Sequence, residues 1–198
     1  AARRGDRIAV YCSFGEGASS QGDFHEGLNW AALHRLPVIF LCQNNGWAIS
    51  VPAERQVAGG SVAARAAGYG MEGVCVDGTD PFAVCAAVRR AVARARDGGG
   101  PALIEVRVHR LDPHTCDDNH ATYRSAAELA AARERDPLPK VADYLRRAGL
   151  LSPAREAELE RAVAAEIDAA EAQARAAPLP RGEEALEGVT SPPAPGPP

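Results

Sequence analysis

The sequence predicts an α/β fold: a parallel sheet with helices on both faces, followed by C-terminal helices and an extended tail. Two observations carry this expectation. Short, wholly apolar runs alternate with helix-patterned segments up to about residue 110, and the apolar runs lack the in–out alternation of a sheet with one wet face. Beyond residue 124 the chain becomes rich in Ala, Glu and Arg, in helix-length pieces broken by Pro137, Pro139, Gly149 and Pro153.

Taken in order, Ile8 to Phe14 is the first strand run and ends in Gly15. Gly22 to Arg35 follows with Phe24, Leu28, Ala31, Ala32 and Leu33 at helical spacing. Pro37 to Cys42 is a second strand run, closed by Gln43-Asn44-Asn45-Gly46, a turn signal. Ser61 to Ala67 reads as a short helix stopped by Gly68 and Gly70, and Val74-Cys75-Val76 as a brief third strand. Pro81 to Asp97 is the clearest helix, with Pro at its start, Phe82, Val84, Cys85, Val88 and Val92 as its apolar face, and Gly98 as its stop. Ala102 to Val108 is the fourth strand. Three regions follow from this pattern: 1–124 as a ligand-binding α/β domain, 125–177 as a helical extension, and 178–198 as a Pro-rich tail too poor in apolar residues to fold alone.

Composition narrows the function classes. A net charge of −4 offers no basic field for nucleic acid. No apolar run approaches the ~20 residues that a membrane-spanning helix needs. The five cysteines are scattered without a Cys-x-x-Cys pair, three of them in apolar runs, which reads as buried, inert thiols in a reducing cytoplasm. The chain opens without Met, its one Met being Met71, and enters its first strand almost at once. It reads as a piece of a longer chain.

In parallel α/β sheets ligands bind beyond the carboxyl ends of the strands. That rule brings residues 15–20, 43–50, 77–80 and 109–118 to one rim. At the end of the first strand, Gly15-Glu16-Gly17-Ala18 sets a carboxylate between two glycines just before a helix start. The glycines allow tight turning and close approach, and free N–H groups at the helix start receive phosphate oxygens. A carboxylate beside phosphate repels it unless a cation lies between, and Glu16 supplies the hard oxygen that Mg²⁺ takes. Twenty-six residues, one helix and one strand, separate Gly17 from Asn44. The chain therefore returns to the same rim with Asn44-Asn45-Gly46-Trp47, where an amide oxygen and a backbone carbonyl complete a Mg²⁺ seat.

Gly15-Glu16-Gly17, the spacing and Asn44-Asn45 match the thiamine-diphosphate signature, with Glu in place of its Asp. Residues 15–23, 43–52, 63–70 and 76–84 further resemble the alpha subunit of the branched-chain 2-oxo acid dehydrogenase decarboxylating component. The resemblance runs from about residue 6 to residue 177. It implies a thiamine-diphosphate-binding fold, with Mg²⁺ held by Glu16, Asn45 and the Trp47 carbonyl, and the diphosphate contacted by Gly17, Ala18 and Gln43. Gln43 stands where branched-chain members often carry Arg. His114 matches the family's active-site His, near the cofactor, although Asp112-Pro113-His114-Thr115-Cys116-Asp117-Asp118 departs from the family loop by an Asp for Gly and one residue fewer.

The function implied is oxidative decarboxylation of branched-chain 2-oxo acids with acyl transfer to lipoamide, of the 3-methyl-2-oxobutanoate dehydrogenase type. The alternatives are a pyruvate or acetoin dehydrogenase alpha subunit, or a fragment inactive on its own. Implied partners are a beta subunit in an alpha-two beta-two assembly, a lipoyl-bearing acyltransferase and the 2-oxo acid, with neither nucleic acid nor membrane. The implied location is the cytoplasm, or the mitochondrial matrix in a eukaryote.

Overall fold

The computed structural model describes residues 7–189; the expectation for the chain start at residues 1–6 and that for the last part of the Pro-rich tail, 190–198, lie outside them. The chain divides into two compact units between Val141 and Ala142.

The first unit is built on four parallel strands: β1 (Val10–Gly15), β2 (Val38–Asn44), β5 (Glu72–Asp77) and β6 (Ala102–Arg107). A small antiparallel ribbon, β3 (Trp47–Ala48) with β4 (Val51–Pro52), lies between β2 and β5 in the chain. The sheet order is β1-β2-β6-β5, so the last strand enters between two earlier ones. Its register pairs Gly15 with Gln43, Asn44 with Arg107, and Arg107 with Asp77, which levels the carboxyl ends of all four strands. The chain steps one way from β1 to β2 and back from β5 to β6. Right-handed crossovers then put helices α1 (Gly22–Leu33) and α2 (Pro81–Arg96) on opposite faces.

Alternation along the strands sorts the core accordingly. Phe40, Cys42 and Leu103 face Leu28 and Ala31 of α1, with Ala66 from the 3-10 segment Ala63–Tyr69 and Val62, which caps its start. Ile39, Leu41, Ala102, Ile104 and Val106 face Ala91 and Ala95 of α2. Helix α2 starts on Asp80, whose carboxylate accepts from the N–H groups of Phe82 and Ala83, and stops before Gly98 at φ 78°.

Two sequence expectations need correction here. The α2 face that meets the sheet is the alanine stripe Ala87, Ala91 and Ala95, flanked by half-buried Val84, Val88 and Val92, whereas Phe82 is 58% exposed and Cys85 is exposed. Small side chains let the helix axis approach the sheet, so the largest apolar residues are displaced to its flanks. The thiols also differ from expectation. Only Cys42 is buried, while Cys12, Cys75, Cys85 and Cys116 are exposed. Cys12 and Cys75 lie on β1 and β5, the two edges of the sheet, and edge strands are covered less than β2 and β6.

Helix α3 (Ala126–Glu134) completes the first unit, capped by Ser125, whose hydroxyl accepts from the Glu128 N–H. Helix α4 (Pro137–Arg147) spans the boundary. In the second unit α5 (Pro153–Ala176) is capped by Ser152 and has no buried residue, and Gly182–Leu186 forms a 3-10 turn. Among the described residues no helix is long and apolar enough to cross a membrane.

Candidate functional site

At the end of β1 the chain turns through a 3-10 segment, Glu16–Ser20, before α1. The Ser19 hydroxyl donates to the Glu16 carbonyl at 2.6 Å, and Arg65 donates to both the Ser19 carbonyl and its hydroxyl oxygen. This fixes a segment whose key side chain points inward: Glu16 is only 1% exposed. One carboxylate oxygen, Oε2, accepts from the Asn45 N–H at 3.1 Å, which ties the ends of β1 and β2 together. The other, Oε1, is buried with no hydrogen-bond partner. A buried carboxylate oxygen left unpaired is costly, and a hard cation is the partner that satisfies it best.

The 44–47 turn consists of two overlapping Asx turns. Asn44 Oδ1 accepts from the Gly46 N–H and Asn45 Oδ1 from the Trp47 N–H, both at 3.0 Å, with Gly46 at φ 83°. The ribbon of β3 and β4 then folds over the first loop. A Cβ on Gly17 would lie 2.9 Å from the Ala48 Cβ, so only glycine fits there. Gln56 donates from Nε2 to the Gly17 carbonyl at 2.9 Å.

Between these loops lies a cavity of about 340 Å³, lined by Glu16, Gly17, Ala18, Asn45, Trp47 and His114, with Gln56 at its side. Six of the seven residues singled out in the sequence therefore meet at one place. Gln43 does not line the cavity; it is an exposed residue at the end of β2 beside Gly15.

His114 is carried on a loop held by a polar network. Asp118 Oδ2 accepts from the His114 N–H at 2.7 Å and from the Tyr123 hydroxyl at 2.6 Å. Arg110 donates to the Tyr123 hydroxyl and to the Ile49 carbonyl, joining the loop to the β3–β4 ribbon. Arg124, 4% exposed, donates to the Arg110 carbonyl and pairs with Glu128 at 2.9 Å. Glu128 also accepts from the Trp47 indole N–H. The Tyr123 hydroxyl, then the His114 N–H and the Arg110 guanidinium, hold the Asp118 carboxyl below the usual carboxylate range.

Three contributing residues went unread in the sequence. Glu105, wholly buried in β6, accepts from Asn44 Nδ2 at 2.7 Å, from the Ser61 hydroxyl at 2.5 Å and from the Ala63 N–H at 2.9 Å. Burial alone would push its carboxyl up; the three donors hold it below the ordinary value. A lone Glu inside an apolar strand run was a legible signal of a buried polar junction. Asp118 stood in the quoted loop without a role. Gln56 carried no signal, since its partner lies 39 residues away.

Among the described residues, no group of three or more His, Cys, Asp or Glu is placed to hold a metal. A cation here would take one carboxylate, one amide oxygen and one backbone carbonyl, which suits Mg²⁺ that keeps waters or phosphate oxygens.

Fold and site together define a parallel α/β protein with a polar cavity at the carboxyl ends of its strands. Residues 1–183 match the family described as dehydrogenase E1 component, and the chain belongs to that family. It is 48% identical over 182 residues to the 2-oxoisovalerate dehydrogenase subunit alpha of Bacillus subtilis, covering 92% of this chain and 55% of that protein. It is 48% identical over 153 residues to the 3-methyl-2-oxobutanoate dehydrogenase subunit alpha of Mycobacterium tuberculosis, covering 77% and 42%. With the pyruvate dehydrogenase E1 component subunit alpha of Staphylococcus aureus it is 40% identical over 169 residues, covering 85% and 46%. The chain thus spans about half the length of the curated relatives it matches.

Proposed function

We propose that this chain is the cofactor-gripping part of a branched-chain 2-oxo acid dehydrogenase alpha subunit that binds thiamine diphosphate through Mg²⁺. The observation that carries the reading is the buried, unpartnered Oε1 of Glu16, a residue that lines the same cavity as Asn45. Glu16, the Asn45 amide oxygen and the Trp47 carbonyl hold Mg²⁺. Gly17 and Ala18 offer backbone N–H groups to the diphosphate, and Gln43 adds an uncharged contact from the rim. When bound, thiamine diphosphate would supply the electron sink for loss of CO₂. His114, on its braced loop, lines the cavity and holds or passes a proton beside the reacting carbons.

The branched-chain assignment is supported by two relatives of that name at 48% identity against 40% for the pyruvate one. The reaction is oxidative decarboxylation with acyl transfer to lipoamide, in an alpha-two beta-two assembly with a beta subunit and a lipoyl-bearing acyltransferase. Residues 1–124 are the binding domain, 125–177 the helical extension and 178–198 the tail, and the setting is the cytoplasm. Spanning about half the length of its relatives, this chain by itself is expected not to turn over.

Calorimetric titration of thiamine diphosphate and Mg²⁺ into the full-length subunit assembled with its beta partner tests the site. Glu16→Ala and Asn45→Ala should each weaken Mg²⁺ binding by at least about tenfold; wild-type affinity in both would sink the assignment. Decarboxylation assays should favour 3-methyl-2-oxobutanoate, and a clear pyruvate preference would move the chain to the alternative class.

A further inference from the structure

Glu105 lies at the middle of the most enclosed strand, with no exposure and no place in the cavity. A carboxylate so placed is tolerated only if its oxygens are used. Its Oε2 takes the Ser61 hydroxyl and the Ala63 N–H, and its Oε1 takes Asn44 Nδ2 at 2.7 Å.

The last of these bonds has a directional effect. A carboxylate only accepts, so the Asn44 amide must present its NH₂ to Glu105 and its oxygen to the other side. There Asn44 Oδ1 receives the Gly46 N–H at 3.0 Å. The same turn gives the Asn45 N–H to Glu16 Oε2 and the Trp47 N–H to Asn45 Oδ1. The polarity of one buried carboxylate therefore passes through the Asn44 amide into the turn that carries the Asn45 oxygen and the Trp47 carbonyl.

We propose that Glu105 is a positioning residue for the cation seat, fixing the sense of the Asn44 amide and through it the shape of the 44–47 turn. The proposal rests on the reading of Glu16, Asn45 and Trp47 as that seat. Glu105 itself touches no ligand. The Ser61 and Ala63 bonds lie on the opposite oxygen and brace the 61–63 turn instead, so the two halves of the Glu105 network are separable.

The test is a polarity swap in the full-length subunit assembled with its beta partner. Mg²⁺ is titrated calorimetrically in the presence of thiamine diphosphate, and a thermal melt is run beside it. Glu105→Gln, keeping its oxygen on Ser61 and Ala63, turns an NH₂ toward the Asn44 NH₂, and Mg²⁺ affinity should fall by about tenfold or more. Asn44→Asp sets two carboxylates against each other and should weaken binding likewise. In the double variant the amide at 105 donates to the carboxylate at 44, which still accepts from the Gly46 N–H, and affinity should return to within about threefold of wild type. Ser61→Ala should lower the melting temperature and leave Mg²⁺ affinity unchanged.

Wild-type affinity in Glu105→Gln would overturn the proposal. So would a double variant no better than the worse single one, or a Ser61→Ala variant that loses affinity as Glu105→Gln does. If Glu105→Gln does not fold, Asn44→Ala on the native Glu105 background must weaken Mg²⁺ binding, and unchanged affinity there overturns the proposal equally. A wild-type assembly that binds no Mg²⁺, or a Glu16→Ala variant that binds it normally, removes the seat itself and is thereby distinguishable from failure of Glu105 alone.

Discussion

Cys42 shows how strongly single positions differ within this sheet. Burial, then the nearby carboxylates Glu105 and Glu16, push its thiol up to about 12. At about pH 8 the thiolate fraction is then on the order of one in ten thousand, which leaves the group inert. Alkylation of the folded chain followed by mass spectrometry should therefore modify the exposed Cys12 and Cys116 and spare Cys42. Labelling of Cys42 at a rate matching Cys116 would contradict its place under α1. The residues of the cavity were legible because their chemistry is local. Gly15-Glu16-Gly17 and Asn44-Asn45-Gly46 each carry a turn signal and a donor set within a few residues. Glu105 stood out locally as a lone carboxylate in an apolar run, but which group it holds, Asn44, lies 61 residues away, and Gln56 acts only through a partner 39 residues away; no local pattern encodes either pairing.

Elements were legible where capping and period agreed. Helix α2 begins on Asp80-Pro81 and ends before Gly98, close to its expected bounds, because side-chain caps and glycine stops are local events. The β3–β4 ribbon was missed, since two-residue strands carry no period, and its bend places Ile49 at φ 56°, where a β-branched residue is not expected. The His114 loop yields a prediction at this scale. Asp118 is held below the usual carboxylate range by Tyr123, His114 and Arg110, so its anionic form and the bonds it accepts are fully present above that range. They are lost as pH falls through the lowered folded value. Limited proteolysis should find residues 112–120 resistant at neutral pH and increasingly cleaved in acid. Asp118→Ala should be cleaved rapidly already at neutral pH; equal rates for variant and wild type would show that the network does not order the loop.

For the whole molecule, the parallel sheet with helices on both faces followed from the alternation of apolar runs and helical segments. The strand order β1-β2-β6-β5 did not, because periodicity identifies strands without pairing them. That order predicts a gradient of protection. In native-state hydrogen exchange, amides of β2 and β6, with neighbours on both sides, should be the slowest, and those of β1, which pairs on one side only within the described residues, should exchange earlier. Protection of β1 equal to that of β6 would point to a further strand against its free edge.

The late insertion of β6 also bears on how the chain matures during synthesis. Residues 102–107 supply the strand that β5 pairs with and the second neighbour of β2, so without them β5 would lack its neighbour in the sheet and the flank of β2 would stay open. The strand that closes the sheet is also the one that delivers Glu105 to Asn44. Completion of the sheet core and orientation of the Asn44 turn thus depend on the same strand, and a nascent chain halted before it would hold both loops of the proposed seat without the group proposed to set their geometry.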